Sequence, residues 1–533
     1  MRDTVTAMFQ LSIWEDKAEA FLKMASSFSL GHLMTEQPNP LTEGLSELAQ
    51  TDRISEAISV LKSADHKALD DCFDFSTESG KHALVQIECL AEELNKCRVS
   101  GGRVFLCGCG STGRLSLTLE RIWRRLRQDR ADVGVITSFM AGGDLAMIHS
   151  LEGFEDLPEY GARQLQELGF KEGDILVSIT EGGETPWVIG ACNESWKISS
   201  LPQYFLYCNP DHLLMSVQRS KEVIENDRVV KIPLSCGPQG IAGSTRMQAS
   251  TVLMAAVGAC LVHLHDPAVT VREILTQLRL DYKAVDISFI ESFIHAESDC
   301  YLRGERIFYQ SQDDLAMAIL TDTTERAPTF SLHAFDNRLD QSTHPSLSYL
   351  FCPQNADSKE AWNDLFRRTP RTLEWEELKG KACYARLLGF DFSKSLPEYR
   401  ASKFPAKTNI FHIQELPDGK ILFELESSKF VWECDHLPIL LKHLMLKMIL
   451  NTHSTIIMGK LGRYQSNIMT WVRPSNKKLI DRSVRNIKYL LAERKIEKSP
   501  EELVKRCFKE METLAEDEPL VLKVFESILK EQS

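Results

Sequence analysis

Hydrophobic spacing divides the chain into a helical opening, an alternating strand–helix body and a helical tail. Between residues 44 and 98, Leu45, Leu48, Ile54, Ile58, Leu61, Leu84, Ile87, Leu90 and Leu94 recur mostly at three- and four-residue steps, the period of amphipathic helices. At Gly101-Gly102-Arg103 the period changes. Val104-Phe105-Leu106 is a short unbroken apolar run, as expected of a strand covered on both faces. A glycine-rich turn follows (Gly108 to Gly113), then a helical stripe of Leu115, Leu119, Ile122 and Leu126, with Arg121, Arg124, Arg125 and Arg127 mostly off it. The unit recurs: Val133–Ile136 precedes Ala141-Gly142-Gly143-Asp144, Asp174–Ile179 precedes the turn from Glu181 to Pro186, and Tyr204–Cys208 ends at Asn209-Pro210. Buried strands alternating with helices predict an α/β fold with a parallel sheet, whose ligands bind beyond the carboxyl ends of the strands.

A second cycle is predicted from about residue 285. It has a helix at Ile287–Ala296, a strand at Arg306–Tyr309, a helix at Leu315–Thr324, and strands at 329–333 and 384–391. Gln310-Ser311-Gln312-Asp313-Asp314 stands where the first cycle has its glycine turn, so the copy looks degenerate. A hairpin is expected over Ile410–Glu426 around Asp418-Gly419, then a long apolar helix from Pro438 to Met458 and a charged helical tail from 475.

The length, 533 residues, corresponds to between three and four compact units at about 150 residues each. With 43% hydrophobic and 26% charged residues the composition is that of an ordinary globular protein and excludes disorder and fibres. Acidic residues exceed basic ones by 13, which opposes general nucleic-acid binding. The longest apolar run, Val252–Val262, is shorter than the roughly 18 to 20 residues of a membrane span, and no apolar leader follows Arg2 and Asp3; no membrane contact and a cytoplasmic location are expected. The 14 cysteines are scattered, with neither zinc nor CxxC spacing, and histidines do not cluster with them, so no metal is expected.

Gly108-Cys109-Gly110-Ser111-Thr112-Gly113 matches the dinucleotide pattern GxGxxG. The acidic residue that should follow about 20 positions later to hold a ribose is absent, since the next strand ends in Phe139-Met140-Ala141-Gly142. No cofactor is therefore expected. Ser111 and Thr112, with the backbone of Gly110 and Gly113, instead suit one phosphate monoester at a helix N-terminus; the alternative is a tight turn with a Ser/Thr cap. Gly243-Ser244-Thr245-Arg246-Met247 couples hydroxyls to a second helix start. Between the loops, Glu152, Glu155 and Asp156 precede an amphipathic helix, as site residues or as helix-dipole partners.

Taken together, Gly110-Ser111-Thr112-Gly113-Arg114-Leu115, Ala141-Gly142-Gly143, Glu152-Gly153-Phe154-Glu155-Asp156, Glu184-Thr185-Pro186, Gly243-Ser244-Thr245-Arg246-Met247 and Thr35-Glu36-Gln37-Pro38-Asn39 resemble, in order and spacing, bacterial N-acetylmuramic acid 6-phosphate etherases. These share sugar-isomerase (SIS) domains, flavodoxin-like α/β sandwiches, with the glucokinase regulatory protein. The resemblance covers roughly residues 33 to 270, and Met458–Leu461 through Ser475-Asn476-Lys477-Lys478-Leu479 resembles the end of the same domain. Length and the second cycle place the chain with the tandem arrangement. The resemblance implies an N-terminal segment (1–43), a ligand-binding SIS domain (44–270), a degenerate SIS domain (271–465) and a helical lid (466–533).

It also implies that a sugar phosphate is held by Gly110, Ser111, Thr112, Gly113, Ser244 and Thr245, with Glu155 on the sugar hydroxyls and Lys460 closing the site. Thr185 stands nearby with Glu181 and Glu184, in a loop where Gly182-Gly183 replaces the etherases' serine-glycine. Facing a phosphate, those carboxylates would repel it, so they are expected to point at sugar hydroxyls or solvent. In the etherase reaction Glu155 would handle protons, but the family's other carboxylate falls on Ile122. Glu120, two residues earlier, lies about 200° around the helix and should face away.

The implied function is that of a sensor which binds a phosphorylated sugar or amino sugar and serves a partner such as a sugar kinase, acting as a single copy through its internal pseudo-dimer. The alternatives are a lyase on N-acetylmuramic acid 6-phosphate, with Glu120 compensating for Ile122, or an isomerase using Glu152 or Glu184. Residues 471 to 498 carry nine basic against three acidic side chains; the preferred reading is a solvated helix face with one or two cations turned to the phosphate pocket, over an RNA or membrane patch.

Overall fold

A computed structural model describes residues 13–24, 29–151, 153–312, 314–340, 344–472, 476–515 and 518–532. Glu152, Asp313 and Arg473 lie outside the described residues.

The first half holds five strands, β1 (Val104–Gly108), β2 (Ile136–Met140), β3 (Ile175–Ile179), β4 (Gln203–Tyr207) and β5 (Val229–Pro233). Their order is β2-β1-β3-β4-β5, and all neighbours are parallel. β1 to β4 are buried throughout. Alternate side chains enter different cores: Val104, Leu106, Ile175 and Val177 join one cluster, and Phe105, Cys107 and Leu176 another. A strand that is apolar on both faces must be covered twice, which explains its unbroken apolar run. β5 was not expected. Its Val-Val-Lys-Ile-Pro mixes exposed and buried positions at the sheet edge, where a terminal proline costs no ladder bond. β2 starts at Ile136, three residues after the predicted start at Val133, and ends at Met140 as expected.

The second half is a mixed sheet. β6 (Arg306–Gln310) lies between parallel β7 (Ser348–Phe351) and parallel β8 (Thr408–Glu415), and β9 (Ile421–Leu425) and β10 (Ser428–Trp432) continue antiparallel from β8. The strands predicted at 329–333 and 384–391 do not form: the helix Leu315–Phe330 runs into the first, and Tyr384–Gly389 is a helix. Short apolar runs have no period of their own, and β7, only Ser-Tyr-Leu-Phe, carried too little signal.

The helix Ile439–Lys460 is buried over nearly its whole length and packs on helices of both halves, including Gln248–His265 and Leu315–Phe330. One apolar core therefore runs through both sheets. The helix Gln248–His265 is long and apolar enough to cross a membrane, but 83% of that stretch is buried inside this fold. Ala18 and Phe21 of the helix Ile13–Met24 share a third core with the C-terminal helices Lys477–Glu493, Pro500–Met511 and Leu520–Gln532.

Between the helices Ser358–Phe366 and Tyr384–Gly389, the second half sends an excursion back over the first. Leu373 and Trp375 enter the first half's outer core, and Trp375 stacks on Phe154 with 5.9 Å between ring centroids and planes 19° apart. Arg368 binds Glu120 and Asp144, and Arg371 binds Glu120 at 2.9 Å. Phe154 is thereby fixed from the second half, and Glu155 is its neighbour in the chain.

Candidate functional site

A cavity of about 210 Å³ lies beyond the carboxyl ends of β1, β2 and β3, where a parallel sheet presents its loops. First-half loops supply Gly110, Ser111, Glu155, Glu181, Thr185, Ser244 and Thr245; Arg114 and Arg246 lie behind them. The helix Leu315–Phe330 adds Glu325, and the C-terminal part adds Asn476, Lys478 and Arg482.

Gly110 has φ 58° and ψ −122°, a conformation only glycine adopts without strain, and it turns the chain so that Ser111 opens the helix Ser111–Leu126 at the cavity wall. Thr112 and Gly113, both expected to hold phosphate, do not line the cavity. The Thr112 hydroxyl is used by its own turn, donating to the Cys109 carbonyl (2.9 Å) and accepting from the Cys109 N–H (3.0 Å). A Cβ on Gly113 would stand 2.6 Å from Met140 Cβ, so this glycine serves close packing of helix on β2. At the second loop Ser244 Oγ is buried and has no hydrogen-bond partner among the described residues, beside the start of the helix Gln248–His265. Gly243 has φ +74°, and a Cβ there would lie 2.5 Å from Arg482 Nε. The loop and the C-terminal helix meet with no room for a side chain.

Glu155 accepts from Asn476 Nδ2 at 2.7 Å, and Asn476 Oδ1 also caps the helix Lys477–Glu493 by accepting from the Leu479 N–H at 2.9 Å. One asparagine thus fixes both the helix that carries Lys478 and the carboxylate it faces. Burial works against the Lys478 ammonium, but the Glu155 and Glu184 carboxylates hold its pKa above the ordinary lysine range. Lys460, expected to close the site, is elsewhere. It ends the helix Ile439–Lys460 with Nζ 2.7 Å from Asp52 and does not line the cavity. The lysine at the cavity is Lys478, from the Asn476–Leu479 segment, and with Arg482 it makes two cations of the basic stretch that face inward. Arg482 is bound to Glu36, and Arg246 to Asp322 at 2.9 Å.

Ile122 is buried in the main apolar core. Glu120 does not replace it. Its carboxylate is held by Arg124, Arg368, Arg371 and Ser138; burial would raise its pKa, but the arginines keep it well below the usual carboxylate range. Glu184 is turned to Arg219 and Lys478 rather than to the cavity. Glu181 does line the cavity, 7% exposed, and its Oε1 has no partner among the described residues; burial pushes its carboxyl up to about 8, with its own backbone N–H and Lys478 opposing and Glu325 and Glu155 adding. Glu325, 2% exposed, is raised by burial against the pull of Arg114, Lys447 and Arg246 and a hydrogen bond from Ser111. Sequence reasoning missed Glu325 altogether. Its helix also carries Asp322 and Arg326, so one more carboxylate there gave no signal.

Residues 84–195 match the glucokinase regulatory protein N-terminal SIS domain. An N-acetylmuramic acid 6-phosphate etherase from a Picosynechococcus species is 31% identical over 238 residues, which cover 43% of this chain and 68% of that protein. The chain belongs to this etherase family. Etherases of the same name from Trichormus variabilis and a Synechococcus species are each 31% identical, and the chain spans 66% and 62% of their lengths. The C-terminal domain of a glucosamine-fructose-6-phosphate aminotransferase from Francisella tularensis aligns with 76% of this chain and 96% of its own at 11% identity, with a TM-score of 0.33. The shared stretch with the etherases is less than half of this chain; Lys478 and Glu325, which complete the cavity, come from beyond the SIS match at 84–195.

Proposed function

We propose that the cavity binds the phosphomonoester of a sugar and that this etherase-family chain acts as a ligand-responsive regulator. The observation that carries this is the unpartnered, buried Ser244 hydroxyl, which shares one cavity with Ser111, Thr245 and Lys478. Two helix starts, free hydroxyls and an ammonium suit a phosphate dianion. Glu155, held by Asn476, is placed for sugar hydroxyls. Because the wall is drawn from the first half, the helix Leu315–Phe330 and the C-terminal helix, a ligand that touches all three favours the arrangement in which they meet, and any surface spanning them changes with occupancy. A sugar kinase is the partner class that such a surface would serve. The chain would act as a single copy, with residues 44–270 and 271–465 as paired SIS domains and 466–533 as the lid.

Lyase activity on N-acetylmuramic acid 6-phosphate is the second reading, supported by family membership and by Glu155 in the cavity. Against it stand Ile122, buried in the core, and Glu120, held by three arginines. The substrate's lactyl carboxylate would also meet Glu181 and Glu325. A thermal-shift series with fructose 6-phosphate, fructose 1-phosphate and N-acetylmuramic acid 6-phosphate, paired with a lactate-release assay, tests both. Stabilisation by a sugar phosphate without lactate is the expected result. Turnover above background would replace the regulator with the lyase, and no stabilisation by any sugar phosphate would remove both.

A further inference from the structure

Lys447 is a buried cation outside the cavity lining. It lies within the helix Ile439–Lys460, and its Nζ donates to the Arg246 carbonyl at 2.8 Å and to the Met247 carbonyl at 3.2 Å. Thr251 Oγ1 and Asn451 Oδ1 stand at 2.9 Å each. Residues 246 and 247 close the loop whose Ser244 and Thr245 line the cavity, so one ammonium grips the backbone next to the hydroxyls. The Arg246 side chain is anchored as well. Its Nη1 donates to Asp322 at 2.9 Å, and its Nη2 to Ser454 at 3.2 Å and Thr455 at 2.7 Å. Asp322 in turn accepts from Asn451 and Ser454, each at 2.8 Å. Apart from Thr251, all these partners sit on the helices Leu315–Phe330 and Ile439–Lys460, beyond the first sheet. A loop fixed before the ligand arrives binds more tightly than one that must be ordered by it.

Building on the sugar-phosphate reading above, we propose that Lys447 is a positioning residue for the phosphate: its ammonium holds the Gly243–Met247 loop in the binding form, so that affinity in the first half is set by a proton carried on the helix Ile439–Lys460. A neutral amine has one donor fewer and no charge to draw the two carbonyls together. The loop end is then held by the Arg246 side chain alone.

The surroundings put that proton within reach of mild alkali. Burial, the largest influence, lowers the Lys447 pKa from 10.5 to about 8, and Arg246 lowers it further. Glu325 and Asp322 from the helix Leu315–Phe330 and Asp65 from the helix Ile54–Phe73 oppose this. Asp65 accepts from Gln248 at 2.6 Å and Tyr282 at 2.9 Å, and its own pKa of about 6 leaves it ionised above pH 7. His443, one turn earlier, shares a small void with Lys447, Ser111 and Glu325, and burial lowers its pKa to about 4, so it is neutral throughout that range. A site that needs one proton of pKa about 8 loses about 10-fold in affinity between pH 7 and pH 9 and takes up protons on binding near pH 8.

The test is calorimetric titration of the full chain at pH 7, 8 and 9 with fructose 6-phosphate, fructose 1-phosphate and N-acetylmuramic acid 6-phosphate, in two buffers of different ionisation enthalpy. Glu181 also titrates near pH 8 and would repel phosphate once ionised, so the series is run on Glu181→Gln. That parent is expected to show the 10-fold fall and the proton uptake. Adding Lys447→Met should weaken binding about 10-fold at pH 7, flatten the profile to pH 9 and abolish the uptake, whereas Lys447→Arg, charged at every pH, should restore affinity without the fall. Melting near the parent temperature establishes that the variants fold; if they do not, the parent's profile decides alone. Binding that is flat from pH 7 to pH 9 in the parent, or a fall and uptake that survive Lys447→Met, overturns the role of Lys447 and leaves the sugar-phosphate reading standing. If no sugar phosphate binds at pH 7, both fall.

Discussion

Glu36→Gln probes the joint between the N-terminal segment and the helix that carries Lys478. The Glu36 carboxylate accepts from Arg482 Nε at 3.0 Å and from its second guanidinium nitrogen at 2.6 Å, and from Arg485 at 2.7 Å. Burial alone would raise its pKa; the two arginines instead lower it from 4.5 to about 2. At about 1.4 kcal/mol per pH unit, that difference amounts to roughly 3 kcal/mol of folded-state stabilisation at pH 7. A second route agrees, since removing one partner of a buried ion pair typically costs about 3–5 kcal/mol. Glutamine keeps the shape and deletes the charge, so a loss of about 3 kcal/mol is expected, concentrated in the helix Lys477–Glu493. Amide hydrogen exchange across that helix, alongside urea unfolding followed by circular dichroism, resolves the local loss in a chain with more than one core. A depressed carboxylate pKa contributes stability in full above the unfolded value near 4.5 and loses it as pH falls towards 2. The gap between wild type and Glu36→Gln should therefore be largest at neutral pH and shrink by pH 3. A gap below about 1 kcal/mol at pH 7, or one that persists unchanged in acid, would refute the claim that this ion triad fastens the C-terminal helix.

Lys478→Ala is expected to weaken sugar-phosphate binding by about 10-fold or more, the value of a charge-assisted contact, while Lys460→Ala changes it little; calorimetry that shows the opposite order would return the closing role to Lys460. Glu120→Ala leaves Arg368 and Arg371 without their shared carboxylate and should destabilise the protein by about 3 kcal/mol, with coupling to Arg371→Ala in a double-mutant cycle. Additive losses would show that the Arg371 contact does not fasten the excursion to the first half.

The first sheet was legible because its strands are buried on both faces. Burial on both sides forces continuous apolar runs, and loops at the carboxyl ends of such strands must carry whatever the fold binds. Gly110, Ser111, Ser244, Thr245, Thr185 and Glu155 follow from that pattern, and the cavity brings them together. The aim of individual side chains within a loop was not legible. Thr112 turns its hydroxyl onto Cys109, and only the turn geometry decides this. In the second half the runs are shorter and the sheet mixed, so strand and helix compete on equal terms and 384–391 became a helix.

What the sequence by itself determined is therefore the parallel sheet, the place of the hydroxyl-bearing loops at its carboxyl end and their chemistry, all consequences of local period and local turns. Tertiary structure decided which distant residues complete the cavity. Glu325 and Lys478 lie far from Ser111 in the chain, and they meet it because the helix Ile439–Lys460 is buried between the two halves and Glu36 ties the C-terminal helix back onto the Gly243 loop. Long-range burial and ion pairing of this kind leave no periodic trace in the chain, so charge balance at the cavity can be read only once the fold has closed.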